Sequence, residues 1–389
     1  MATLLRIPIT IASGNCYTAY LLVGSQATPV NVLLDTGSSM TAVNVDQYNP
    51  GTDLPAATTT NWLQSGSFQG AARFIAALVQ APLGLQGDAG TVTVPNGNLG
   101  VVYKILPSLF GNADGILGLG YQALNAVTVM PGNTWDSQYT PAQLVQGHAD
   151  GTKPPYVDQL VAARDVANKF AFAVRRSVVS AAADAASSGI NTGVFVLGGG
   201  EECDDLYTGA FTSVAVVNES YYSTNLVAVQ VGNRQPVPVP PPPAGSLAAS
   251  NSFLDSGASG LRLDPALYNQ VIEQFNAVNP AFGPALQGAS RDQTQINLGA
   301  WPTLGFVLEG PGGARETLQV AAKDYWQFDG YGPGTATAEL FSGGAPHPGQ
   351  SILGLPMFAG KYVVFDRTGG PGRGVVKFAT LAEAAPLVA

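Results

Sequence analysis

The chain has 389 residues, of which 46% are apolar and 11% are charged, and its formal net charge is −9. This length allows two or three domains with a buried core, and the composition excludes a disordered protein. Two histidines and two cysteines are too few for a His-rich metal cluster, a zinc ribbon or a disulfide-dense scaffold. The 17 Lys and Arg residues exclude non-specific nucleic-acid binding. No stretch reaches the roughly 18 apolar residues of a membrane helix.

The first predicted element is a strand at the N-terminus, where MATLLRIPITIASGN lacks the basic run, apolar core and cleavage site of an export signal. Two localisations therefore stay open: the cytoplasm, or the periplasm or exterior if an export signal has been removed. Short apolar runs bounded by Gly, Pro, Asn or Asp follow, which is typical of strands. They are TPVNVLLD, GTVTV, GVVYKI, GVFVLGG, TNLVAVQVG, LGFVLEG and KYVVFD.

Helix signals are few. In DPALYNQVIEQFNAV, Asp264 is suited to the N-cap and Pro265 to the first turn, while Leu267, Val271 and Phe275 recur at a spacing of four. A second helix is predicted in PPYVDQLVAARDVA. The fold class expected from the whole pattern is mostly β with a few short peripheral helices.

An internal repeat is the most informative feature of the sequence. NVLLDTGSSM at 31–40 is followed by Gly118 within DGILGLGY, and NSFLDSGASG at 251–260 is followed by Gly354 within SILGLPM. Each half thus contains an apolar pair, Asp, a hydroxyl residue and Gly, and later Ile-Leu-Gly-Leu. The natural interpretation is a duplicated pair of β lobes.

We place the N-terminal lobe at residues 1–178 and the C-terminal lobe at residues 190–389. The segment 236–245, PVPVPPPPAG, is expected to be an extended, exposed loop of polyproline II type in the second lobe.

Asp35 and Asp255 stand where an apolar strand ends and a turn begins, each two residues before a glycine, Gly37 or Gly257. A single Asp in this context is usually a turn-former whose carboxylate binds nearby amides. Two equivalent copies suggest that the carboxyls act as a pair, because lobes packed about a pseudo-two-fold axis would bring them face to face. They cannot both ionise cheaply, so one keeps a proton. Such a pair can act as general base and general acid on a shared water.

Together these motifs resemble those of the pepsin-like aspartic proteases. The doubled D-[TS]-G-[SA] signature, the Ile-Leu-Gly element after each copy, VFVLGGGEECDDLYTG and KYVVFDRTGGPGRGVVKFA occur in the order typical of the family. The resemblance covers nearly the whole chain. It implies a bilobal, mostly β endopeptidase, active at acidic to mildly acidic pH, that needs no metal and no organic cofactor.

The resemblance also implies roles for individual residues. Asp35 and Asp255 correspond to the catalytic pair that activates water against a peptide carbonyl. The hydroxyl residues next to them would join the two turns by hydrogen bonds, the glycines would admit the substrate backbone, and an outer serine would bind the first Asp. These supporting positions are Thr36, Gly37, Ser38, Ser256 and Gly257.

Ala258 is a departure from the family pattern, because most members have Ser or Thr there. Asp255 then lacks one hydrogen bond to its ionised form, which is expected to raise its pKa. We expect Ala258→Thr to shift the acidic limb of the pH–rate profile downward.

The flap, a β-hairpin that closes over the cleft in this family, is the larger departure. Taking GLQGDAGTVTV as the return strand places it at about 72–90, where no tyrosine occurs, and Ala42 stands where a tryptophan partner is usual. A mobile, apolar flap with slow turnover is expected. Phe74 is either an aromatic wall of the cleft or a core residue of the hairpin. The positions assigned to the flap and to substrate binding are Phe74, Ala77, Leu78 and Val79.

Cys16 and Cys203 have two interpretations: one disulfide that ties the N-terminal strand to the second lobe, or two free buried thiols. The partners implied are an extended polypeptide in the interlobe cleft and pepstatin-like inhibitors, with no nucleic acid and no membrane. We expect a monomer.

Two rival functions stay open. One is a pepsin-like binding protein or inhibitor with weak or no catalysis, which the altered flap favours and the intact Asp pair opposes. The other is a two-carboxylate glycoside hydrolase, which would need its acid and base at least ~5 Å apart.

Overall fold

The structure is a computed structural model that describes residues 2–11, 16–68, 72–105, 110–242, 245–288, 290–369 and 374–387. Within these ranges the chain is mostly strand, as predicted. In the first half the strands are β1 (Leu5–Ile11), β2 (Tyr17–Val23), β3 (Thr28–Asp35), β4 (Thr41–Asn44), β5 (Thr58–Phe68), β6 (Ala72–Gly87), β7 (Gly90–Ile105), β8 (Gly115–Gly118), β9 (Ala126–Val129), β10 (His148–Thr152), β11 (Lys169–Val174) and β12 (Thr192–Leu197). In the second half they are β13 (Tyr207–Ala215), β14 (Tyr222–Thr224), β15 (Leu226–Val231), β16 (Val237–Pro238), β17 (Ser252–Leu254), β18 (Leu261–Leu263), β19 (Arg291–Asp292), β20 (Leu304–Glu309), β21 (Arg315–Val320), β22 (Trp326–Phe328), β23 (Thr335–Ala338), β24 (Leu340–Ser342), β25 (Ser351–Leu353), β26 (Lys361–Asp366) and β27 (Val375–Leu381).

The helices of the described ranges are short. They are α1 (Thr134–Ser137), α2 (Tyr156–Ala162), α3 (Ala185–Ser188), α4 (Pro265–Val278), α5 (Phe282–Leu286) and α6 (Ala322–Tyr325). Both helices predicted from the sequence are present, as α2 and α4. The Asp264 side chain caps α4 by accepting a hydrogen bond from the Ala266 N–H at 3.0 Å. Among the described residues, no helix has the length and hydropathy needed to cross a membrane.

The largest sheet joins the two halves of the chain. It contains fifteen strands in the order β10-β9-β5-β6-β7-β4-β8-β3-β2-β1-β12-β11-β26-β27-β13. At its centre the N-terminal strand β1 pairs with β12, with Leu5 opposite Leu197, and β11 pairs with β26. The expected lobes at 1–178 and 190–389 therefore share a sheet at their junction, and these boundaries stay a prediction.

Buried aromatic residues fill the core beneath this shared sheet. β11 is apolar at every position after Lys169, because both of its faces are covered. The rings of Phe170 and Phe365 stack with their centroids 4.9 Å apart, and Phe172 and Phe195 pack beside them. This continuous core fixes the platform on which the two Asp-containing loops lie.

The sequence repeat appears as a repeated strand pattern. In the first half, β3 and β8 are parallel, β8 and β4 are antiparallel, and β4 and β7 are parallel. In the second half, β17 and β25, β25 and β18, and β18 and β24 show the same three relations. Asp35 is the last residue of β3 and Asp255 directly follows β17, so the repeat places the two Asp residues at equivalent points.

The Pro-rich segment 236–245 is only partly the exposed loop that we expected. Val237 is buried, and with Pro238 it forms the edge strand β16, paired with β15. A proline is tolerated there because an edge strand needs ladder hydrogen bonds on one side only.

Candidate active site

The two Asp-containing loops begin at equivalent points of the two repeats. Asp35 ends β3 and lies opposite Gly118 of β8, and its carbonyl oxygen accepts a hydrogen bond from the Leu119 N–H at 2.7 Å. In the second half, the Asp255 N–H donates to the Leu353 carbonyl oxygen at 3.1 Å. Each loop is therefore held at its origin by a parallel neighbouring strand.

Reciprocal hydrogen bonds join the two loops. The Thr36 N–H donates to Ser256 Oγ at 3.0 Å, and the Ser256 N–H donates to Thr36 Oγ1 at 2.9 Å. The two hydroxyls in turn donate across the junction, from Thr36 to the Leu254 carbonyl at 3.1 Å and from Ser256 to the Leu34 carbonyl at 2.8 Å. Both side chains are fully buried, so these bonds are protected from water.

The glycines let each loop approach the opposite carboxyl. A Cβ atom at Gly37 would lie 2.7 Å from the Asp255 carboxyl, and one at Gly257 would lie 2.4 Å from Asp35 Oδ1. Both distances are far shorter than real Cβ contacts. Gly is therefore required at both positions by close packing.

The carboxyl of Asp35 has more hydrogen-bond donors around it than that of Asp255. Asp35 accepts bonds from the Gly37 N–H at 2.8 Å and from the Ser38 hydroxyl at 2.6 Å. Asp255 accepts the equivalent backbone bond from the Gly257 N–H at 2.8 Å. The two carboxyls lie close together, because a Cβ atom at Gly257 would be within 3.2 Å of both.

The pKa of both carboxyls is raised, and that of Asp255 is raised more. For Asp35, burial raises the pKa, while hydrogen bonds from Ser38, Asp255 and Gly37 oppose the rise. For Asp255, burial and then the negative charge of Asp35 hold the pKa well above its ordinary value. Over a range of pH, Asp35 is therefore ionised while Asp255 carries the shared proton.

The family to which the sequence is similar has the same paired arrangement of Asp loops. Residues 16–371 match the eukaryotic aspartyl protease family. The chain belongs to this family. Its members are pepsin-like peptide hydrolases that bind polypeptides in a cleft, so the predicted family and the predicted mostly β, bilobal fold class are confirmed.

Ala258, the departure from the family pattern, is buried in an apolar cluster. It packs with Phe253 and Ile352, and the Tyr221 ring stacks on Phe253 with the centroids 4.4 Å apart. A methyl group suits this site, while the hydroxyl that serves Asp35 through Ser38 has no counterpart here.

The predicted position of the flap hairpin at 72–90 is wrong. β6 runs over Ala72–Gly87 without a turn, and β7 begins at Gly90. The turn between them lies beside β1, where the Arg6 N–H donates to Asp88 Oδ1 at 2.9 Å. The segment of the expected hairpin is thus one long strand followed by a turn that lies beside β1.

The four β6 side chains that the sequence assigned to the flap and to substrate binding are buried, and that assignment stays a prediction. All four are at most 2% exposed, because two covered faces bury them on either side of β6. For Phe74 the core interpretation is the correct one, since its ring packs with Ala42 and Ile116. The four residues are Phe74, Ala77, Leu78 and Val79.

The hairpin nearest the first Asp loop is formed by β5 and β6. The two strands pair up to Phe68 opposite Ala72, and their turn at 69–71 lies outside the described residues. Through Phe74 the hairpin packs on Ile116 of β8, the neighbour of β3, and on Ala42 of β4, the next strand of the sheet. The sequence of β5 and β6 contains no tyrosine, as expected for the flap.

Cys16 and Cys203 do not form a disulfide; both are free and buried. Cys16 nevertheless lies at the site, where its thiol donates to the Gly257 carbonyl oxygen at 3.1 Å. Burial, followed by the nearby charges of Asp35 and Asp255, raises the pKa of the Cys16 thiol. The neutral thiol, which is the weaker nucleophile, is therefore favoured.

The sequence analysis missed a third carboxyl near the site, that of Glu339. This side chain is fully buried, and its pKa is raised to about 7, mainly by burial. The available signal was a single acidic residue inside the weakly polar run TATAELFS. An isolated charge in a strand of this kind is buried only with partners, which the sequence does not identify.

Proposed function

We propose that the protein is an aspartic endopeptidase in which Asp35 and Asp255 activate a water molecule held between them. The observation that carries the proposal is the buried, reciprocal pair of hydrogen bonds between Thr36 and Ser256. These bonds hold two unequal carboxyls against each other, as acid–base chemistry on one water requires.

In this mechanism, ionised Asp35 removes a proton from the water as its oxygen attacks the peptide carbonyl carbon. Protonated Asp255 donates its proton to the carbonyl oxygen, which gives a neutral tetrahedral diol. Collapse of the diol breaks the C–N bond, one diol proton passes to Asp255, and the proton held by Asp35 passes to the leaving nitrogen. The products are a carboxylic acid and an amine, and the pair returns to its starting state.

The proposed substrate is an extended polypeptide that lies across the two Asp loops, beneath the β5–β6 hairpin. Backbone hydrogen bonds of the kind found in an added strand would hold it. Pepstatin-like inhibitors are expected to occupy the same cleft, and no metal or organic cofactor takes part. We propose a monomer, because both carboxyls come from one chain.

Acidic to mildly acidic activity follows from the two pKa values. Activity requires Asp35 to be ionised, so it falls when the pH drops through the pKa of the pair's more acidic step. It also requires Asp255 to be protonated, so it falls when the pH rises through the second step. The raised pKa of Asp255 extends the active range toward less acidic pH.

A binding protein or inhibitor with the same fold is the second candidate. It is favoured by one observation, the absence of tyrosine from β5 and β6. Such a protein would bind an extended peptide without cleaving it.

The test is to incubate the protein with an unfolded polypeptide from pH 3 to 7, with and without pepstatin, beside Asp35→Asn and Asp255→Asn. We expect pepstatin-sensitive cleavage that falls about 10²–10⁴-fold in each variant, because each loses one acid–base partner. Peptide binding without cleavage at any pH would favour the second candidate. Cleavage that survives Asp35→Asn would remove Asp35 from the mechanism.

A further inference from the structure

The buried carboxyl of Glu339 has no part in the proposed reaction. Glu339 joins β23 to β24, and its backbone is bonded on both sides, through its N–H to the Tyr325 carbonyl at 2.7 Å and through its carbonyl to the Leu261 N–H at 2.9 Å. Within the described residues, its Oε2 atom has no hydrogen-bond partner. Leaving a buried carboxyl oxygen unpaired is costly, so its retention calls for an explanation.

The contacts of this carboxyl lead to the second Asp loop. Glu339 Oε1 accepts a hydrogen bond from the Tyr331 hydroxyl at 3.2 Å. Burial raises the pKa of both groups, and the Ser259 hydroxyl opposes the rise. A Cβ atom at Gly260 would lie 3.1 Å from Glu339 Oε2. The carboxyl therefore lies against the chain that leaves Asp255.

Tyr331 has a backbone conformation that bulky residues rarely adopt, with φ at 62°, and its side chain is 52% exposed. Its loop is tightly bonded: the Asp329 N–H donates to the Thr335 carbonyl at 2.6 Å, and the Gly334 N–H donates to Asp329 Oδ1 at 2.7 Å. A left-handed tyrosine persists only where its surroundings impose it, and such residues cluster at functional sites.

The ring lies beside the second Asp loop. Its hydroxyl is bonded to Glu339, whose carboxyl lies against Gly260, five residues after Asp255. The Cys16 thiol is bonded to the carbonyl of Gly257 in the same loop. Through Glu339, Tyr331 thus borders the chain that leaves Asp255.

We propose that Tyr331 is a substrate-contacting wall of the cleft, contributed by the second half of the chain, and that Glu339 is the positioning residue that holds it there. The inference rests on the proposed function. A half-exposed phenol ring offers a stacking surface for an aromatic or large apolar side chain of the substrate. β5 and β6 contain no tyrosine. The Tyr331 ring would supply an aromatic contact from the lobe opposite the β5–β6 hairpin.

The test uses a set of peptides with Phe replaced by Ala at one position at a time, on either side of the cleaved bond. Tyr331→Ala should raise KM about 3–10-fold for the Phe peptide at one position only, with kcat changed less than ~2-fold. Glu339→Leu should reproduce this effect, and Glu339→Gln, which keeps an acceptor for the Tyr331 hydroxyl, should restore KM. Tyr20→Ala, at a 64% exposed tyrosine of β2, is the matched control and should leave KM unchanged.

Affinity for a non-cleavable peptide with a reduced peptide bond, measured by calorimetry on the same variants, separates the two proposals. If the wild type cleaves peptides and Tyr331→Ala has the same KM as the wild type for the peptides of every position, this inference alone is overturned. If the wild type binds but does not cleave, the endopeptidase proposal fails, and the affinities of the Phe and Ala peptides decide the role of Tyr331. If the wild type neither cleaves nor binds, both proposals are overturned. Thermal unfolding of each variant excludes loss of fold as the cause.

Discussion

The first and second Asp loops are alike in what joins them and different in what surrounds them. Their hydroxyl and glycine positions make matching contacts across the junction. However, Asp35 has the Ser38 hydroxyl beside it, whereas Asp255 has the methyl group of Ala258. The duplicated residues thus assemble the pair, and the unduplicated neighbours decide which member holds the proton.

The largest expected effect tests the likeness of the loops. Gly37→Ala and Gly257→Ala should each lower kcat/KM about 10²-fold or more, because a Cβ would push aside the carboxyl of the opposite loop. Steady-state kinetics measure the effect. Gly299→Ala is the control, at an exposed glycine whose Cβ position has one ordinary contact, 3.4 Å from Asn297 Oδ1. Full activity in either loop variant would show that the close approach has no role.

The next effect concerns the hydrogen bonds that join the loops. Thr36→Val should lower the free energy of unfolding by about 1–3 kcal/mol, because the buried Ser256 N–H loses its acceptor. Ser256→Ala should cost a similar amount through the Thr36 N–H, and the double variant should cost less than the sum. Chemical denaturation measures these values, with exposed Thr93→Val of β7 as control. Strict additivity would contradict a shared network.

Glu339 is a further feature of the second loop, where its buried carboxyl lies against Gly260. Its pKa of about 7 in the fold exceeds the ordinary 4.5, so between these values the folded chain holds a proton that the unfolded chain releases. Stability is therefore present at low pH and is lost as the pH rises through 7.

Relative to Glu339→Gln, the wild type should lose about 2–3 kcal/mol of unfolding free energy between pH 4.5 and 8. The Asp pair also makes stability depend on pH, but it does so equally in the wild type and the variant. Its contribution therefore cancels in the difference between the two proteins. Glu273→Gln, on the exposed face of α4, should follow the wild type. Parallel curves for Glu339→Gln and the wild type would contradict a buried, neutral Glu339.

The smallest effect tests Ala258. Ala258→Thr adds a hydroxyl beside Asp255, and a hydrogen bond to the ionised form should lower its pKa. Because Asp255 is the protonated member, the limb that moves downward is the alkaline one, and not the acidic limb inferred from the sequence. We expect a shift of at most about 1 pH unit in the pH–rate profile. Ala258→Val, which has the same shape without the hydroxyl, should show none.

The fold class and the Asp pair could be predicted because their signals are short and local. The doubled motif identifies both carboxyls, and Asp264 with Pro265 marks the start of α4. The flap position could not be predicted in the same way. Pro82 and Gly84 suggest a turn, but β6 passes through them with only a register shift beside Pro82. Tertiary pairing on both sides overrides the local signal there.

Glu339 and Tyr331 could not be identified for a different reason. Gly260, which the Glu339 carboxyl contacts, is distant from both residues in the sequence, and each residue alone looks ordinary. Their significance comes from burial and from a strained backbone angle, which appear only when the chain is folded.

The pairing of β1 with β12 also has a consequence for how the molecule is made. Leu5 can pair with Leu197 only after half of the chain has been synthesised, and β11 can pair with β26 only after synthesis has passed residue 361. Such distant contacts carry a high loop-closure cost and favour slow folding. While the ribosome is still producing the second half, the edge of apolar β11 that pairs with β26 remains uncovered, which makes this the stage at which a nascent chain most needs protection from aggregation.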